Sequence, residues 1–176
     1  MKSQKPLVGV SRCLLGENVR YDGTHKLNLY IRDQLGRVVQ WIPVCPEVEC
    51  GLSVPREPMQ LVNDSGKFQL LSKAQVPRRD YTLQMLQWIE RKFVELARKP
   101  LVGFVLKARS PSCAIRDAEI WDLSTKSYTY GPGLFTRALL ERFPFLVCMD
   151  EEALQNPEKQ KAFLEKIFYF FKQENR

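Results

Sequence analysis

The sequence lacks the paired histidines and the C-x-x-C pairs that usually mark zinc and thiol redox sites. Among 176 residues there is one histidine, and no two of the five cysteines form a C-x-x-C pair. A closed zinc site uses four ligands, usually in closely spaced pairs, and a dithiol redox site uses C-x-x-C. The sequence therefore favours neither type of site. We expect the histidine, His25, to lie at the surface or to support another site residue.

Long apolar runs are also missing. No segment approaches the roughly 20 consecutive apolar residues that a membrane-spanning helix needs. The first residues, MKSQKPLVGVSRC, lack the apolar region and cleavage site of a signal peptide. We therefore expect a cytoplasmic protein that does not associate with membranes. A disulfide framework is disfavoured in that reducing compartment, which leaves the cysteines as buried thiols, metal ligands, or redox or nucleophilic groups.

The charge of the chain is positive but not concentrated. Lys and Arg number 27 against 20 Asp and Glu, a net charge of +7. The cations are spread along predicted helices and stand singly in loops, and no recognised nucleic-acid-binding motif is present. We expect a solvated basic surface and a small-molecule substrate, with nucleic acid as a less favoured partner.

Strand and helix patterns alternate through most of the chain, which predicts an α/β fold. We predict a single domain over residues 1–176, with a mostly parallel, Rossmann-like sheet flanked by helices and a small β-hairpin excursion. The predicted strands are PLVGV, the short buried QWIPV, LVGFVLKA and FLVCMD. The predicted helices are Leu29 to Val39 (broken late by Gly36), Arg78 to Arg98, a short helix after GPG, and C-terminal helices over 151–176.

Two segments predict smaller β-structure. Residues 59–71, MQLVNDSGKFQLL, alternate around a turn sequence and predict a hairpin. We expect this hairpin to decorate the edge of the main sheet. The segment IWDLSTKSYTYGPG predicts an irregular loop or a second short hairpin.

Three cysteines occupy equivalent places in this pattern. Cys13, Cys45 and Cys113 each lie at, or just past, the carboxyl end of a predicted strand. Ligands of open α/β sheets bind outside those ends, so these thiols are expected to meet. Three thiolates suit three corners of a cubane iron–sulfur cluster, and the fourth iron would stay open as a Lewis acid. The alternative is that all three are small buried apolar residues.

The other two cysteines are assigned lesser roles. Cys148 lies within FLVCMD and is predicted to be a core residue. Cys50 follows Cys45 by five positions and either supplements the ligands or fills space, and we favour the second interpretation.

Four motifs carry a resemblance to a known family. The segments SRCLLGENVRYDG, VCPEVECGLSVPREP, KARSPSC and GPGLF resemble those of the bacterial thiouracil desulfidase family, in the same order, from about Leu7 to Asp150. In that family three cysteines ligate a [4Fe-4S] cluster, and the enzyme converts 2-thiouracil to uracil and sulfide. The resemblance implies that Cys13, Cys45 and Cys113 are the cluster ligands.

The sequence departs from the family pattern at two places. Cys50 precedes Gly51 and Leu52 where the family usually has Gly-Gly-Leu, and Ala114 stands where glycine often follows the third cysteine. A side chain at position 50 narrows the loop beside the expected cluster. These departures concern the exact substrate more than the cluster.

Desulfuration needs a base for the attacking water and a hydrogen-bond donor for the substrate. Glu47, in the CPE segment, is the candidate base, in keeping with the family's catalytic glutamate; the alternative is a carboxylate that caps loop amides. Ser110, in RSPSC, is the candidate that orients water or substrate, and the alternative is a turn hydroxyl ahead of Pro111. Ser112 is the weaker alternative for the same task.

The loop after Cys13 supplies candidate substrate contacts. Arg20, Tyr21 and Asp22 either bind a pyrimidine edge or lock the loop through an Arg20–Asp22 pair, which is the favoured interpretation. Arg109 with Lys107 either holds an anion or lowers the pKa values of the cysteines.

Two further features are assigned structural roles. Arg56 is expected to bind a partner within its own loop. Gly131 and Gly133 flank Pro132 before a helix, which favours a turn at a helix start over an anion site.

Other functions fit part of these patterns. One is a module that senses or stores a cluster or metal without turnover. Another is an RNA-associated protein that acts on thiolated nucleotides within a polymer.

Overall fold

A computed structural model describes residues 4–74 and 76–174 of the protein. The strands are β1 Leu7–Ser11, β2 Gln40–Val44, β3 Met59–Asp64, β4 Lys67–Ser72, β5 Leu101–Leu106, β6 Ala118–Asp122, β7 Ser127–Gly131 and β8 Val147–Asp150. The helices are α1 Gly36–Val38, α2 Pro46–Glu49, α3 Thr82–Leu96, α4 Leu134–Arg142 and α5 Pro157–Glu174. Shorter helical turns cover Arg12–Leu15, Tyr30–Leu35 and Ala153–Gln155.

The main sheet is parallel and has the strand order β2-β1-β5-β8. From β1 the chain crosses to β2 on one side, and later returns to β5 on the other side. Such a reversal creates a crevice at the carboxyl ends of the strands, between β1 and β5. The predicted α/β fold class with a mostly parallel sheet is confirmed.

A second sheet of four strands has the order β4-β3-β6-β7. The predicted 59–71 hairpin is its β3–β4 pair, and its turn places both Ser65 (φ 51°) and Gly66 (φ 91°) in left-handed conformations, which suits a tight hairpin. The second predicted hairpin is the β6–β7 pair. The expectation that the first hairpin decorates the main sheet is wrong, because β3 pairs in parallel with β6 instead. This pairing buries Leu61 and Ile120 in a shared core.

Apolar residues form two buried clusters, and the main sheet contributes to both. One cluster joins strands of the two sheets with α3 and α4, and it includes Phe104 and Phe135. The other joins β1 and β5 with α5 and the 30–38 helical segment, and it includes Val10 and Phe163. Gly9 of β1 leaves room for the Phe104 ring, since a Cβ there would lie 2.3 Å from a ring carbon.

Two sequence expectations need correction. The helix over residues 29–38 does not break at Gly36: a wide π-helical turn, Tyr30–Leu35, continues into α1, and Gly36 has right-handed helical angles. β2 is an edge strand rather than a fully buried one, and Gln40 and Pro43 are exposed. Proline has no backbone N–H to donate to a neighbouring strand, so Pro43 is tolerated in an edge strand, which pairs on one side only. Of the predicted C-terminal helices, residues 175 and 176 lie outside the described part.

Within the described ranges, no helix is long and apolar enough to cross a membrane.

Candidate active site

The three cysteines at the strand ends line one cavity. Cys13 lies in the helical turn directly after β1, Cys45 follows β2, and Cys113 lies in the loop after β5. Because β2, β1 and β5 are adjacent and parallel, their carboxyl ends deliver the three residues to one edge of the sheet. The cavity has a volume of about 410 Å³, and all three residues contribute to its wall.

Burial keeps these thiols protonated when no cation is bound. Burial, with a smaller contribution from the neighbouring Cys45, raises the pKa of Cys13 to about 12. Burial also raises the pKa of Cys45, and it raises the pKa of Cys113 well above its ordinary value. A hydrogen bond with Ser11 acts in the opposite direction on the pKa of Cys113. Since metal ligands must be thiolates, binding a metal group here would release protons.

The three thiols that line the cavity are the donors available to a metal group. Among the described residues, no group of three His, Cys, Asp or Glu side chains is placed to hold one metal ion. A cubane cluster does not require the sulfurs to converge on one atom, because each cysteine binds a different iron. Three thiols around one cavity therefore suit three corners of such a cluster.

Glu47 lies in α2, two residues after Cys45, and lines the same cavity. Its Oε2 accepts N–H groups from Nε and Nη2 of Arg56 at 2.8 and 2.6 Å. Its Oε1 accepts the Ser112 hydroxyl at 2.9 Å. The side chain therefore pairs with other side chains rather than capping loop amides. It is 13% exposed and Arg56 is 7% exposed.

The two serines of the Cys113 loop are placed differently. Ser110 lines the cavity, and its Oγ accepts the backbone N–H groups of Ser112 at 3.2 Å and Cys113 at 3.0 Å. This is the turn arrangement expected ahead of Pro111, and it also aims Cys113 at the cavity. Ser112 is fully buried and does not line the cavity; its hydroxyl binds Glu47 instead.

The loop after Cys13 forms part of the cavity wall. Arg20 and Tyr21 line the cavity, whereas Asp22 does not. Arg20 pairs with Asp22 at 3.5 Å and binds Thr24 at 3.0 Å. Its guanidinium also lies 5.6 Å from the centre of the Tyr21 ring. The internal pair that the sequence favours is thus present, and two of the three residues also face the cavity.

Lys107 and Arg109 both line the cavity, and each has a carboxylate partner. Lys107 pairs with the buried Glu151, and Arg109 pairs with Glu152. Lys107 lowers the pKa of Cys13, but burial outweighs it. Most of the Arg109 side chain is exposed.

Several candidate residues lie outside the cavity. Cys50 packs in the core and its Sγ donates to the Glu47 carbonyl at 3.2 Å, which agrees with a space-filling role. Cys148 lies in β8 and packs against the same core. His25 is exposed, and its Nδ1 accepts the Leu27 N–H at 3.1 Å.

The glycines before α4 allow neighbouring segments of the chain to pack closely. A Cβ at Gly133 would lie 2.5 Å from the carbonyl carbon of Ser112, so glycine allows α4 to start directly against the Cys113 loop. Thr136 of α4 then donates to the Cys113 carbonyl at 2.8 Å. Neither Gly131 nor Gly133 lines the cavity, which agrees with the turn interpretation.

Sequence reasoning missed two contacts of the site. Arg56 was expected to bind within its loop, and it does bind the Ser53 carbonyl, but it also pairs with Glu47. Ser11, which lines the cavity, also acts on Cys113, because its side-chain hydrogen bond lowers the pKa of that thiol. The only sequence signal for Ser11 is a hydroxyl residue at the end of a buried strand, and for the Arg56–Glu47 pair there is none.

Comparisons with known proteins show what the whole chain is similar to. A family model described as 2-thiouracil desulfurase matches residues 8–151. The Bacillus subtilis (strain 168) protein YbbK, described as uncharacterized, is 29% identical over 149 residues, which cover 83% of this chain and 97% of YbbK. The solved structure of the [4Fe-4S]-dependent thiouracil desulfidase TudS is similar with a TM-score of 0.65 and 29% identity, over 91% of this chain and 97% of that chain.

Proposed function

The chain belongs to the 2-thiouracil desulfurase family, and from that premise we propose that it is an iron–sulfur-dependent enzyme that removes sulfur from a thiolated pyrimidine such as 2-thiouracil. The observation that carries the proposal is the convergence of Cys13, Cys45 and Cys113 on one cavity that Glu47 also lines. We assign these cysteines as ligands of a [4Fe-4S] cluster, which is the group named for the similar TudS structure.

The reaction is a hydrolysis. Water and the thiocarbonyl give a carbonyl and hydrogen sulfide, so the water oxygen replaces sulfur at carbon and no electron is transferred. When bound, the cluster would supply an open iron, which is a Lewis acid for the thiocarbonyl sulfur. The remaining tasks are to bind the ring, to hold the water and to accept its proton.

We assign these tasks to residues of the cavity wall. Glu47 accepts the proton of the attacking water, because its carboxylate reaches the cavity and is held by Arg56 and Ser112. Ser110 orients water or substrate, because its Oγ accepts two backbone amides while no acceptor for its own hydrogen is found among the described residues. Arg20, Tyr21 and Arg109 contact the pyrimidine.

The proposed surroundings follow from the same chemistry. A cluster with an open iron and five free cysteines suit a reducing compartment. We therefore place the enzyme in the cytoplasm. Asp22 and Ser112 support the substrate site indirectly, through Arg20 and Glu47 respectively.

Anaerobic reconstitution tests the proposal. The protein is loaded with iron and sulfide, its iron and acid-labile sulfide are counted, and sulfide release from 2-thiouracil is measured. We expect about four irons in the wild type and loss of both cluster and turnover in Cys13→Ala, Cys45→Ala and Cys113→Ala. The matched controls Cys50→Ala and Cys148→Ala should retain both.

Two outcomes would contradict the assignment. Full turnover in any one of the three ligand variants would reject the ligand set. A wild type that carries the complete cluster and binds 2-thiouracil without releasing sulfide would show a binding or sensing protein instead of an enzyme.

A further inference from the structure

We propose that Arg56 is a positioning residue for the reaction: it holds the Glu47 carboxylate so that only Oε1 can accept the proton of water, and it joins that carboxylate to the loop that contacts the substrate. Sequence reasoning gave Arg56 a role only within its own loop. This inference rests on the proposed function, in which Glu47 is the base.

Arg56 and Ser112 together occupy most of the acceptor positions on Glu47. A carboxylate has about four lone-pair positions, two on each oxygen. Both positions on Oε2 are taken by Nε and Nη2 of Arg56, at 2.8 and 2.6 Å. Ser112 takes one position on Oε1 at 2.9 Å. One position on Oε1 remains, and Glu47 lies in the cavity wall, so the geometry assigns Oε1 as the atom that receives the proton.

Arg56 also joins Glu47 to other segments of the chain. Its Nη2 also donates to the Val19 carbonyl at 2.8 Å, and its Nη1 donates to the Ser53 carbonyl at 3.1 Å. Its backbone N–H donates to the Tyr21 carbonyl at 2.8 Å. Val19 and Tyr21 belong to the loop after Cys13 and line the cavity. One residue therefore fixes the base and the substrate loop relative to each other.

The type of side chain at position 56 also suits a positioning role. The planar guanidinium presents several donors in a rigid fork, whereas lysine is a flexible point charge. Arg56 uses four of its five side-chain N–H donors: Nε and Nη2 converge on Glu47, while Nη1 and Nη2 reach two carbonyls. A buried ion pair is weak evidence for stability, because desolvation offsets the attraction. Its place beside the cavity therefore favours a role in the reaction.

Arg56→Ala and Arg56→Lys test the proposal in the cluster-loaded protein. We expect iron and sulfide contents equal to wild type, a kcat about 100-fold lower in Arg56→Ala, and a smaller change in KM for 2-thiouracil. Arg56→Lys keeps the charge but loses the fork, so it should recover only part of the rate. Methylguanidinium added to Arg56→Ala should raise its kcat. Arg32→Ala, which removes an exposed arginine paired with Asp33, is the control and should match wild type.

A double-mutant cycle separates positioning from general structural support. If Arg56 acts through Glu47, Arg56→Ala should lower kcat strongly in the wild-type background but less than about 3-fold in Glu47→Gln, because coupled residues are not additive. Equal factors in both backgrounds, or a wild-type rate in Arg56→Ala, would overturn the positioning role and leave the proposed function intact. A loaded wild type without turnover would overturn both.

Hydrogen exchange in the cluster-free protein gives a readout that does not depend on turnover. Arg56→Ala removes the N–H groups that the Arg56 side chain donates to the Val19 carbonyl and the Glu47 carboxylate. Amides of residues 19–24 and 46–49 should therefore exchange faster than in Arg32→Ala. Unchanged exchange in both segments would overturn the link between base and loop. If Arg56→Ala does not fold, Arg56→Lys carries the same comparison.

Discussion

At the scale of single residues, Ser110 and Ser112 show how neighbouring hydroxyls acquire different tasks. Ser110 faces the cavity and accepts two backbone amides, which shapes the turn that presents Cys113. Ser112 is buried behind it and donates to Glu47. The first therefore contacts the space where a substrate would bind, and the second reaches that space only through the carboxylate.

Alanine at each serine should separate these tasks. We expect Ser110→Ala to lower kcat by roughly 100-fold, because the site loses a donor that faces the substrate. Ser112→Ala should lower kcat by about 10-fold, the value of one hydrogen bond to a charged group, because Arg56 still holds the other oxygen of Glu47. Steady-state rates of sulfide release and iron counts measure both. Ser124→Ala, in the β6–β7 turn, is the control. A larger loss in Ser112→Ala than in Ser110→Ala would contradict this division.

The sequence predicts which residues line the cavity better than it predicts their contacts. Cys13, Cys45 and Cys113 are recognised because each follows an apolar strand, and Glu47 because it follows Cys45 in a family motif. The Arg56–Glu47 pair has no local pattern, since it depends on the path of an irregular loop that brings the two side chains together. Hydrogen bonds between loops depend on the tertiary structure, so no local sequence pattern predicts them.

At the scale of elements, the turn between β6 and β7 depends on one carboxylate. Asp122 Oδ1 accepts the N–H and hydroxyl of Ser124 and the N–H of Thr125, and Oδ2 accepts the Asn63 amide at 2.7 Å. The hydrogen bond from the Ser124 side chain is the main cause of a lowered Asp122 pKa. These contacts connect the β6–β7 hairpin to β3.

Asp122→Asn should therefore destabilise the protein in a pH-dependent way. A pKa lower in the folded than in the unfolded chain stabilises the fold above the unfolded value of about 4, and this contribution disappears as the pH falls. We expect the variant to melt below wild type at pH 7, and the difference in Tm to shrink below about pH 4. Thermal unfolding followed by circular dichroism at several pH values measures it. Asp64→Asn, at the β3–β4 turn, is the control, and a Tm difference that stays constant with pH would contradict the argument.

Strands and turns were easier to predict than the strands that pair with them. The NDSG segment predicts the β3–β4 turn because its Ser65 and Gly66 adopt left-handed angles without a bulky side chain. The predicted partner of that hairpin was wrong, because β3 pairs with β6. Ile120 of β6 lies opposite Leu61, although the two residues are far apart in the sequence. Gly36 was expected to end a helix, but it lies where a Cβ would contact the Trp41 indole nitrogen at 3.1 Å. The glycine at position 36 therefore reflects close packing against Trp41 rather than the end of a helix.

At the scale of the whole molecule, the strand order makes the site. Because β1 lies between β2 and β5, residues 32 and 100 positions from Cys13 meet it at one sheet edge. The start of α4 packs against the Cys113 loop from the other side, where Gly133 leaves no space for a side chain. The three cysteines thus come from three separate crossovers, so any group that binds all three would cross-link the fold.

Cluster loading should consequently stabilise the entire protein. A group that binds only the folded state adds about 4 kcal/mol when present at 1,000 times its dissociation constant, and each kcal/mol raises the Tm of a chain of this size by about 2–4 °C. We expect anaerobic reconstitution to raise the Tm of wild type and of Cys148→Ala by roughly 10 °C, and to leave that of Cys13→Ala and Cys113→Ala nearly unchanged. Calorimetry before and after loading, on samples with counted iron, measures the shift. An equal rise in Cys113→Ala would mean that the cluster does not join the three strand ends.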